Sequence, residues 1–102
     1  MKFDISIVIV NYNTGEYLVN CIYSIFQFNQ SLKLEVIVID NNSSDKSLEL
    51  LDPLKQKITI LKNKTNLGFS KALNIGLKKS SGKYICILNP DTLFQEKTMQ
   101  NM

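Results

Sequence analysis

Four short apolar runs recur along the chain: Ile5-Ser6-Ile7-Val8-Ile9-Val10, Leu34-Glu35-Val36-Ile37-Val38-Ile39, Ile58-Thr59-Ile60-Leu61 and Tyr84-Ile85-Cys86-Ile87-Leu88. They are rich in β-branched residues, and several are nearly continuous rather than alternating, which is how strands buried on both faces read. Helical patterns lie between them. Over residues 15–28, Leu18, Cys21, Ile22, Ile25 and Phe26 fall on one stripe at the spacing of an amphipathic helix. A second pattern covers residues 44–54, with Leu48 and Leu51 inward, Ser43 or Ser44 as N-cap and Pro53 near its end. A third covers residues 69–79, with Phe69, Ala72, Leu73 and Leu77 on one face and Gly82 as a stop.

The order is βαβαβαβ. Such alternation predicts an α/β fold, Rossmann-like and three-layered, with a mostly parallel sheet, helices on both faces and right-handed crossovers. A length of 102 residues suits one domain, residues 1–102, and no repeat or linker divides it. In sheets of this kind ligands bind beyond the carboxyl ends of the strands. The segments there are Asn11-Tyr12-Asn13-Thr14, Asp40-Asn41-Asn42-Ser43-Ser44-Asp45, Asn63-Lys64-Thr65-Asn66-Leu67-Gly68 and Asn89-Pro90-Asp91-Thr92. Asn, Asp and Ser are ordinary turn and cap residues, but four such loops on the ligand-binding edge exceed what turn chemistry asks for. No G-x-G-x-x-G follows the first strand and no G-x-x-x-x-G-K-[ST] occurs, which removes dinucleotide-binding and P-loop readings.

Composition narrows the chemistry. Hydrophobic residues at 44% and charged residues at 21% exclude a disordered or fibrous chain. The chain has no His and no Arg, so Ser-His-Asp machinery, His-ligated metals and guanidinium forks for phosphate are all absent. Carboxylates, amides, hydroxyls, Lys and a hard metal remain. Cys21 and Cys86 sit far apart in apolar contexts and read as buried structural thiols in a reducing compartment. No apolar run reaches the ~18 residues of a membrane span and no signal peptide is read. A cytoplasmic location is expected, with peripheral attachment to the inner face of the membrane as a further option.

The net charge of +3 hides an asymmetry. Residues 1–54 carry three lysines against seven acids, and residues 55–102 carry nine lysines against Asp91 and Glu96. A basic half attracts polyanions or anionic membrane in principle. No basic run interleaves with aromatics, however, so nucleic acid is not an expected partner. The plainer reading is solvated Lys on helix faces, with one or two near a phosphate.

Asp40 and Asp91 each end a strand. Each has an ordinary role as a turn former or cap, and a chemical one. Asp40 can accept hydrogen bonds from a base imide or a ribose hydroxyl. Asp91 can ligate Mg²⁺ or Mn²⁺ on a diphosphate, since such ions take one or two carboxylates plus phosphate oxygens and water.

The four motifs in register, Ser-Ile-Val-Ile-Val-Asn-Tyr-Asn, Val-Ile-Val-Ile-Asp-Asn-Asn-Ser-Ser-Asp, Asn66-Leu67-Gly68-Phe69-Ser70-Lys71-Ala72-Leu73-Asn74-Ile75-Gly76-Leu77 and Ile87-Leu88-Asn89-Pro90-Asp91-Thr92, closely resemble the nucleotide-sugar-binding half of family-2 glycosyltransferases. The branch most similar is that of bacterial rhamnosyltransferases. The resemblance implies a GT-A-type fold with strand order 3-2-1-4. It also implies inverting sugar transfer from a UDP- or dTDP-sugar to a hydroxyl of an acceptor glycan or lipid-linked sugar, in polysaccharide or cell-wall synthesis. By the same resemblance, Asn11 and Tyr12 line the base pocket, largely through backbone groups, Asp40 holds the base, Asn66, Gly68 and Lys71 lie along the ribose and diphosphate, and Asn13, Asn42 and Asn89 belong to the nucleotide-binding set. Asp91 stands at the last acid of the family's D-x-D metal motif, whose first acid is here Asn89, and the cofactor implied is Mg²⁺ or Mn²⁺.

The family's catalytic base lies after the metal motif, where this chain offers Glu96 and little else. No catalytic residue is therefore assigned within the chain, and the base is expected beyond Met102. A donor-binding half that is inactive alone follows from this. So does self-association through the unpaired edge of the strand at residues 84–88. Two further readings stay open: a non-catalytic nucleotide-binding or assembly module of the same fold, and a receiver-like or flavodoxin-like domain. A receiver domain wants an acid pair after its first strand, and none is present here.

Overall fold

The computed structural model describes residues 2–92. Within them the expected alternation is realised as β1 (Ile5–Asn11), α1 (Glu16–Phe28), β2 (Leu34–Asp40), a 3-10 helix (Glu49–Leu54), β3 (Thr59–Lys62), α2 (Phe69–Lys79) and β4 (Tyr84–Leu88). The strands form one parallel sheet in the order β3-β2-β1-β4, as expected. The chain steps outward from β1 to β3, then α2 carries it back past β1 to β4. Right-handed crossovers running in opposite directions put α1 and α2 on opposite faces. The direction reverses between β1 and β4, so the carboxyl ends of these two strands border the topological switch point.

The alternation along β1 and β2 divides the core in two. Ile7, Ile9, Val36 and Val38 face Leu18, Cys21, Ile22 and Ile25 of α1, with Leu51 and Leu54 closing the layer. Val8, Ile37 and Ile39 face Ala72 of α2, flanked by Leu73, Ile75 and Leu77. Each large aliphatic side chain taken fully from water contributes about 1.5–3 kcal/mol, and β1 and β2 contribute on both faces. α2 comes close to the sheet because Gly76 faces it: a Cβ there would lie 2.5 Å from Val8 Cγ1 and 3.2 Å from Ile39 Cγ1.

Three local expectations are corrected. The helix expected at residues 44–54 shrinks to the 3-10 segment Glu49–Leu54. Pro53 lies inside it, and a proline there cannot donate an α-helical hydrogen bond. The chain uses three-residue bonds instead, such as Leu51 N–H to the Leu48 carbonyl at 3.0 Å. Neither Ser43 nor Ser44 caps it, since Ser43 Oγ is taken by Asp40 and Asn13. Phe69, expected inward, is 54% exposed because it opens α2 beyond the carboxyl edge of the sheet.

Gly82, expected as a helix stop, has a packing role. α2 ends at Ser80, whose N–H bonds the Gly76 and Leu77 carbonyls. A Cβ on Gly82 would sit 2.5 Å from Ser6 N and 2.8 Å from the Ile5 carbonyl carbon. The final helix expected from about Thr92 falls outside the described residues, as do Glu96 and Met102, the position beyond which the catalytic base is expected. Among the described residues no helix is long and apolar enough to cross a membrane.

The amino end of the sheet is pinned by a second polar cluster. Buried Ser6 donates its hydroxyl to Glu35 Oε1 at 2.6 Å and accepts the Gly82 N–H at 2.7 Å. Glu35 also takes the Ser81 N–H at 2.8 Å. Partial burial pushes the Glu35 carboxyl up, but the hydrogen bonds from Ser6 and Ser81 and the charge of Lys79 outweigh it and hold it below its ordinary 4.5. A carboxyl depressed in the folded state stabilises above its ordinary pKa and loses that contribution as pH falls through the folded value. Glu35→Gln is therefore expected to flatten the acid limb of stability, read as urea midpoints between pH 6 and pH 3. Gly76→Ala is expected to cost about 1–3 kcal/mol by overpacking against Val8. Gly82→Ala is expected to cost more, because its new methyl meets backbone; urea titrations rank the two.

Candidate functional site

The four polar loops meet at the carboxyl edge, where they separate into a buried floor and an exposed rim. The floor begins with register. Asn11 ends β1 directly beside Asp40 at the end of β2, and both are buried. Asn11 Nδ2 donates to Asp40 Oδ1 at 2.9 Å and to Ser47 Oγ at 3.0 Å, and lies 3.3 Å from Ser43 Oγ. Its Oδ1 accepts the Thr14 hydroxyl. Asp40 Oδ1 also accepts the Ser43 hydroxyl at 2.7 Å, and Oδ2 accepts the Ser43 N–H at 2.9 Å. Asp40 thus has both oxygens engaged inside the protein. Its side chain organises the turn after β2 and lies beneath the surface.

Asn41 extends the floor toward β3 and α2, a role that the loop's composition did not single out. Only 3% exposed, it accepts Asn63 Nδ2 at 2.9 Å and the Leu67 N–H at 3.3 Å, and it donates to the Gly68 carbonyl at 3.1 Å. The neighbouring Asn42 is exposed and left-handed, with φ of 66°. Two adjacent asparagines therefore have opposite roles. Asn13, also left-handed at φ 52°, caps the Ser44 and Asp45 N–H groups at 2.8 and 3.2 Å, while its own N–H goes to Ser43 Oγ at 2.9 Å. Asp45 in turn accepts Ser47 Oγ at 2.6 Å and the Gly15 N–H at 2.9 Å. The Ser47 and Gly15 hydrogen bonds hold its carboxyl below the ordinary 3.8. Sequence spacing reads Ser43 as an N-cap and Asp45 as part of a polar loop, and gives Ser47 no role; what makes them part of the site is the loop-to-loop contact.

The rim is the part of the edge open to solvent. Tyr12 is half exposed, and Asn66, Gly68, Lys71, Asn89 and Asp91 are exposed. Asn66 Oδ1 accepts the Gly68 N–H at 2.8 Å, shaping the left-handed Gly68 (φ 81°) at the entry to α2. No atom lies within 4 Å of a Cβ built there, so φ alone favours glycine. Lys71 stands in the first turn of α2. Across the edge, the Asn89–Asp91 turn rests on α1: Cys21 Sγ lies 3.9 Å from the Asn89 carbonyl, and Thr92 N–H closes the turn on that carbonyl at 3.0 Å. Burial, and then the nearby charge of Asp91, push the Cys21 thiol up to about 11. Both cysteines are free, and Cys86 is likewise raised by burial.

The carboxyl edge therefore offers an aromatic face, exposed amides, the ammonium of Lys71 and the carboxylate of Asp91. Among the described residues no three acidic or thiol ligands cluster as a closed metal cage. A hollow of about 420 Å³ bordered by Thr14, Gly15, Glu16, Tyr17 and Asn20 adjoins the edge. A hollow of about 500 Å³ lies away from the loops, between Phe26, Asn29, Leu34, Leu54 and Lys57 at the other end of α1.

Over residues 6–102 the sequence matches the family model described as glycosyl transferase family 2, and the chain belongs to that family. It is 31% identical over 101 residues to the glycosyltransferase GlyG of Streptococcus pneumoniae, covering 96% of this chain and 33% of that protein. It is 35% identical over 107 residues to the minor teichoic acid biosynthesis protein GgaB of Bacillus subtilis, covering 99% of this chain and 12% of that one. The chain thus spans about a third or less of these relatives. The fold matches S. aureus TarS 1–349 in complex with UDP-GlcNAc, at TM-score 0.85 and 22% identity over 96% of this chain and 29% of that one. It also matches the mannosyltransferase PcManGT of Pyrobaculum calidifontis in complex with GDP-Man and Mn²⁺, at TM-score 0.86 and 21% identity over 99% and 31%. The expected GT-A-type architecture is the one these structures share.

The division into floor and rim predicts opposite mutational responses. Asn11→Ala, which strips a hydrogen bond from buried Asp40, is expected to cost about 1–3 kcal/mol. Tyr12→Ala and Lys71→Ala are expected to stay within about 0.5 kcal/mol of the parent. Thermal and urea unfolding of the three variants measures this directly.

Proposed function

We propose that residues 1–102 form the donor-binding half-domain of an inverting glycosyltransferase, holding a nucleoside diphosphate sugar at the carboxyl edge. The observation that supports this reading is that Tyr12 after β1, Lys71 in the first turn of α2 and Asp91 after β4 are all exposed, beside a floor whose buried side chains are already hydrogen-bonded. The half-exposed Tyr12 ring and the backbone of residues 11–13 suit a nucleobase. Asp40 holds the base in this reading, with Asn42 beside it in the nucleotide-binding set. Asn66, Gly68 and Asn89 suit the ribose and diphosphate, and Lys71 supplies positive charge as the diphosphate leaves.

Mg²⁺ or Mn²⁺ fits the donor set. One exposed carboxylate, Asp91, with Asn89 beside it, is a sufficient protein share when phosphate oxygens and water complete the shell. Bound there, such an ion would supply Lewis-acid neutralisation of the leaving diphosphate. The general base that deprotonates the acceptor hydroxyl is read as lying beyond Met102, since Asp91 would be taken up in holding the metal and Asp45 has both oxygens in hydrogen bonds to Ser47 and Gly15. The acceptor is read as a glycan or lipid-linked sugar. A rhamnosyl donor is the sharper form of the proposal, supported by the four motifs in register. A cytoplasmic setting, at or near the inner face of the membrane, is part of the same reading and is supported by two free thiols in apolar surroundings.

Calorimetric titration with UDP, dTDP and GDP, with and without Mn²⁺, tests the reading. One nucleotide is expected to bind weakly and metal-dependently. Asp91→Ala is expected to abolish the metal dependence while leaving the unfolding midpoint unchanged. Absence of metal-dependent heat with all three would overturn donor binding, and robust sugar transfer by the 102-residue chain would overturn a base beyond Met102.

A further inference from the structure

We propose that the outward face of α1 binds a neutral glycan chain, laid along the helix from the carboxyl edge to the hollow at its far end. The choice of a glycan rests on the donor reading above; the character of the surface does not. Residues 17–32 carry no charge, in a chain where 21% of residues are charged. An exposed helix face normally sets charged side chains opposite its apolar stripe. The outward face of α1 instead presents Tyr17 and Tyr23, 65% and 48% exposed, with exposed Asn20 and Gln27 and, just past the helix, exposed Gln30. Asn20, Tyr23 and Gln27 share one face by their spacing of i, i+3, i+7. α1 has 13 residues and is about 20 Å long at the helical rise, room for several sugar rings in line.

Both hollows lie against this face. The first is bordered by Thr14, Gly15, Glu16, Tyr17 and Asn20, on the loop that also carries Tyr12. The second begins one turn further on, with Tyr23, Phe26, Gln27, Asn29 and Gln30. Each hollow therefore has a tyrosine beside an amide. Lys57 Nζ stands 5.9 Å from the centre of the Phe26 ring, so the cation at the second hollow faces an aromatic ring. Asn29 is 1% exposed and gives its Nδ2 to the Ile25 carbonyl at 2.9 Å, while its Oδ1 has no hydrogen-bond partner among the described residues. A buried acceptor left unpaired is unfavourable, and a hydroxyl seated in the hollow is the donor it lacks. A pyranose carries C–H faces that pack on aromatic rings and hydroxyls that both donate and accept. Tyrosine suits the first and a primary amide the second. A polyanion would find no row of cations here, and an apolar segment would desolvate the amides without pairing them. The near end of the track adjoins the edge where the donor is read, so a glycan held along α1 has one end beside that edge.

The test is a titration of the nitrogen-15-labelled 102-residue chain with laminarihexaose, maltohexaose and chitohexaose, three neutral glycans of different linkage, at millimolar concentration and without nucleotide. At least one is expected to shift the side-chain amide signals of Asn20, Gln27 and Gln30 together. Tyr17→Ala combined with Tyr23→Ala is expected to weaken that binding about tenfold, with the unfolding midpoint and the nucleotide titration unchanged. No shift of these amides with any of the three overturns the proposal. So do shifts confined to residues outside α1 and its exit, or binding that survives the loss of both rings. The same titration of the enzyme extended beyond Met102 is expected to move the same amides; if they do not respond there, the rest of the chain occupies α1 and the proposal falls. Nucleotide binding without glycan binding overturns the track alone. Glycan binding without nucleotide binding overturns the donor reading and leaves the track standing.

Discussion

The constraint on which the rest depends is that β1 and β2 are dry on both faces. Ile7, Val8 and Ile9 are fully buried, as are Ile37, Val38 and Ile39. A parallel sheet of this kind needs a helix on each face, and right-handed crossovers then dictate where the chain turns. Polar side chains are excluded from the middle of these strands and collect at their ends. Two polar clusters result: Ser6, Glu35 and Gly82 at the amino end, and Asn11, Asp40, Asn41 and Ser47 at the carboxyl end. Both tie sequence-distant segments together through hydrogen bonds, but only the carboxyl end stands at the switch point between β1 and β4, and only there do four loops converge.

At that edge, hydrogen bonding determines which polar residues remain available. Asn11, Asp40 and Asn41 spend their capacity on one another, on Ser43 and Ser47, and on the backbone of residues 67 and 68. Tyr12, Lys71 and Asp91 do not take part in that network. A carboxylate held as Asp40 is held contributes geometry. One placed as Asp91 is placed contributes charge, and its influence already reaches the thiol of Cys21.

The strands, their order and the two long helices were legible in the sequence because β-branched runs and helical stripes are local and repeat. The 3-10 segment was less so. Leu48 and Leu51 keep helical spacing, but Pro53 decides the hydrogen bonding. Phe69 has the right spacing for an inward residue, yet the sheet ends before it. Spacing reports which residues share a helix face and says nothing of how far the sheet beneath it extends. At the site, the positions of the four loops could be read from the strand ends. The split between floor and rim could not. Asn41 and Asn42 are chemically identical neighbours, and only φ and the contacts from Asn63, Leu67 and Gly68 separate them.

A floor that is complete without a ligand decouples two demands that many binding sites must meet together. Asn11, Asp40 and Asn41, which tie the edge together, are buried, whereas Tyr12 and Lys71 are presented to solvent there. Exchanges at Tyr12 or Lys71 change the exposed face with little effect on folding, whereas exchanges at Asn11 or Asp40 disturb folding. A scaffold divided in this way can diverge in specificity one surface residue at a time, without passing through an unstable intermediate.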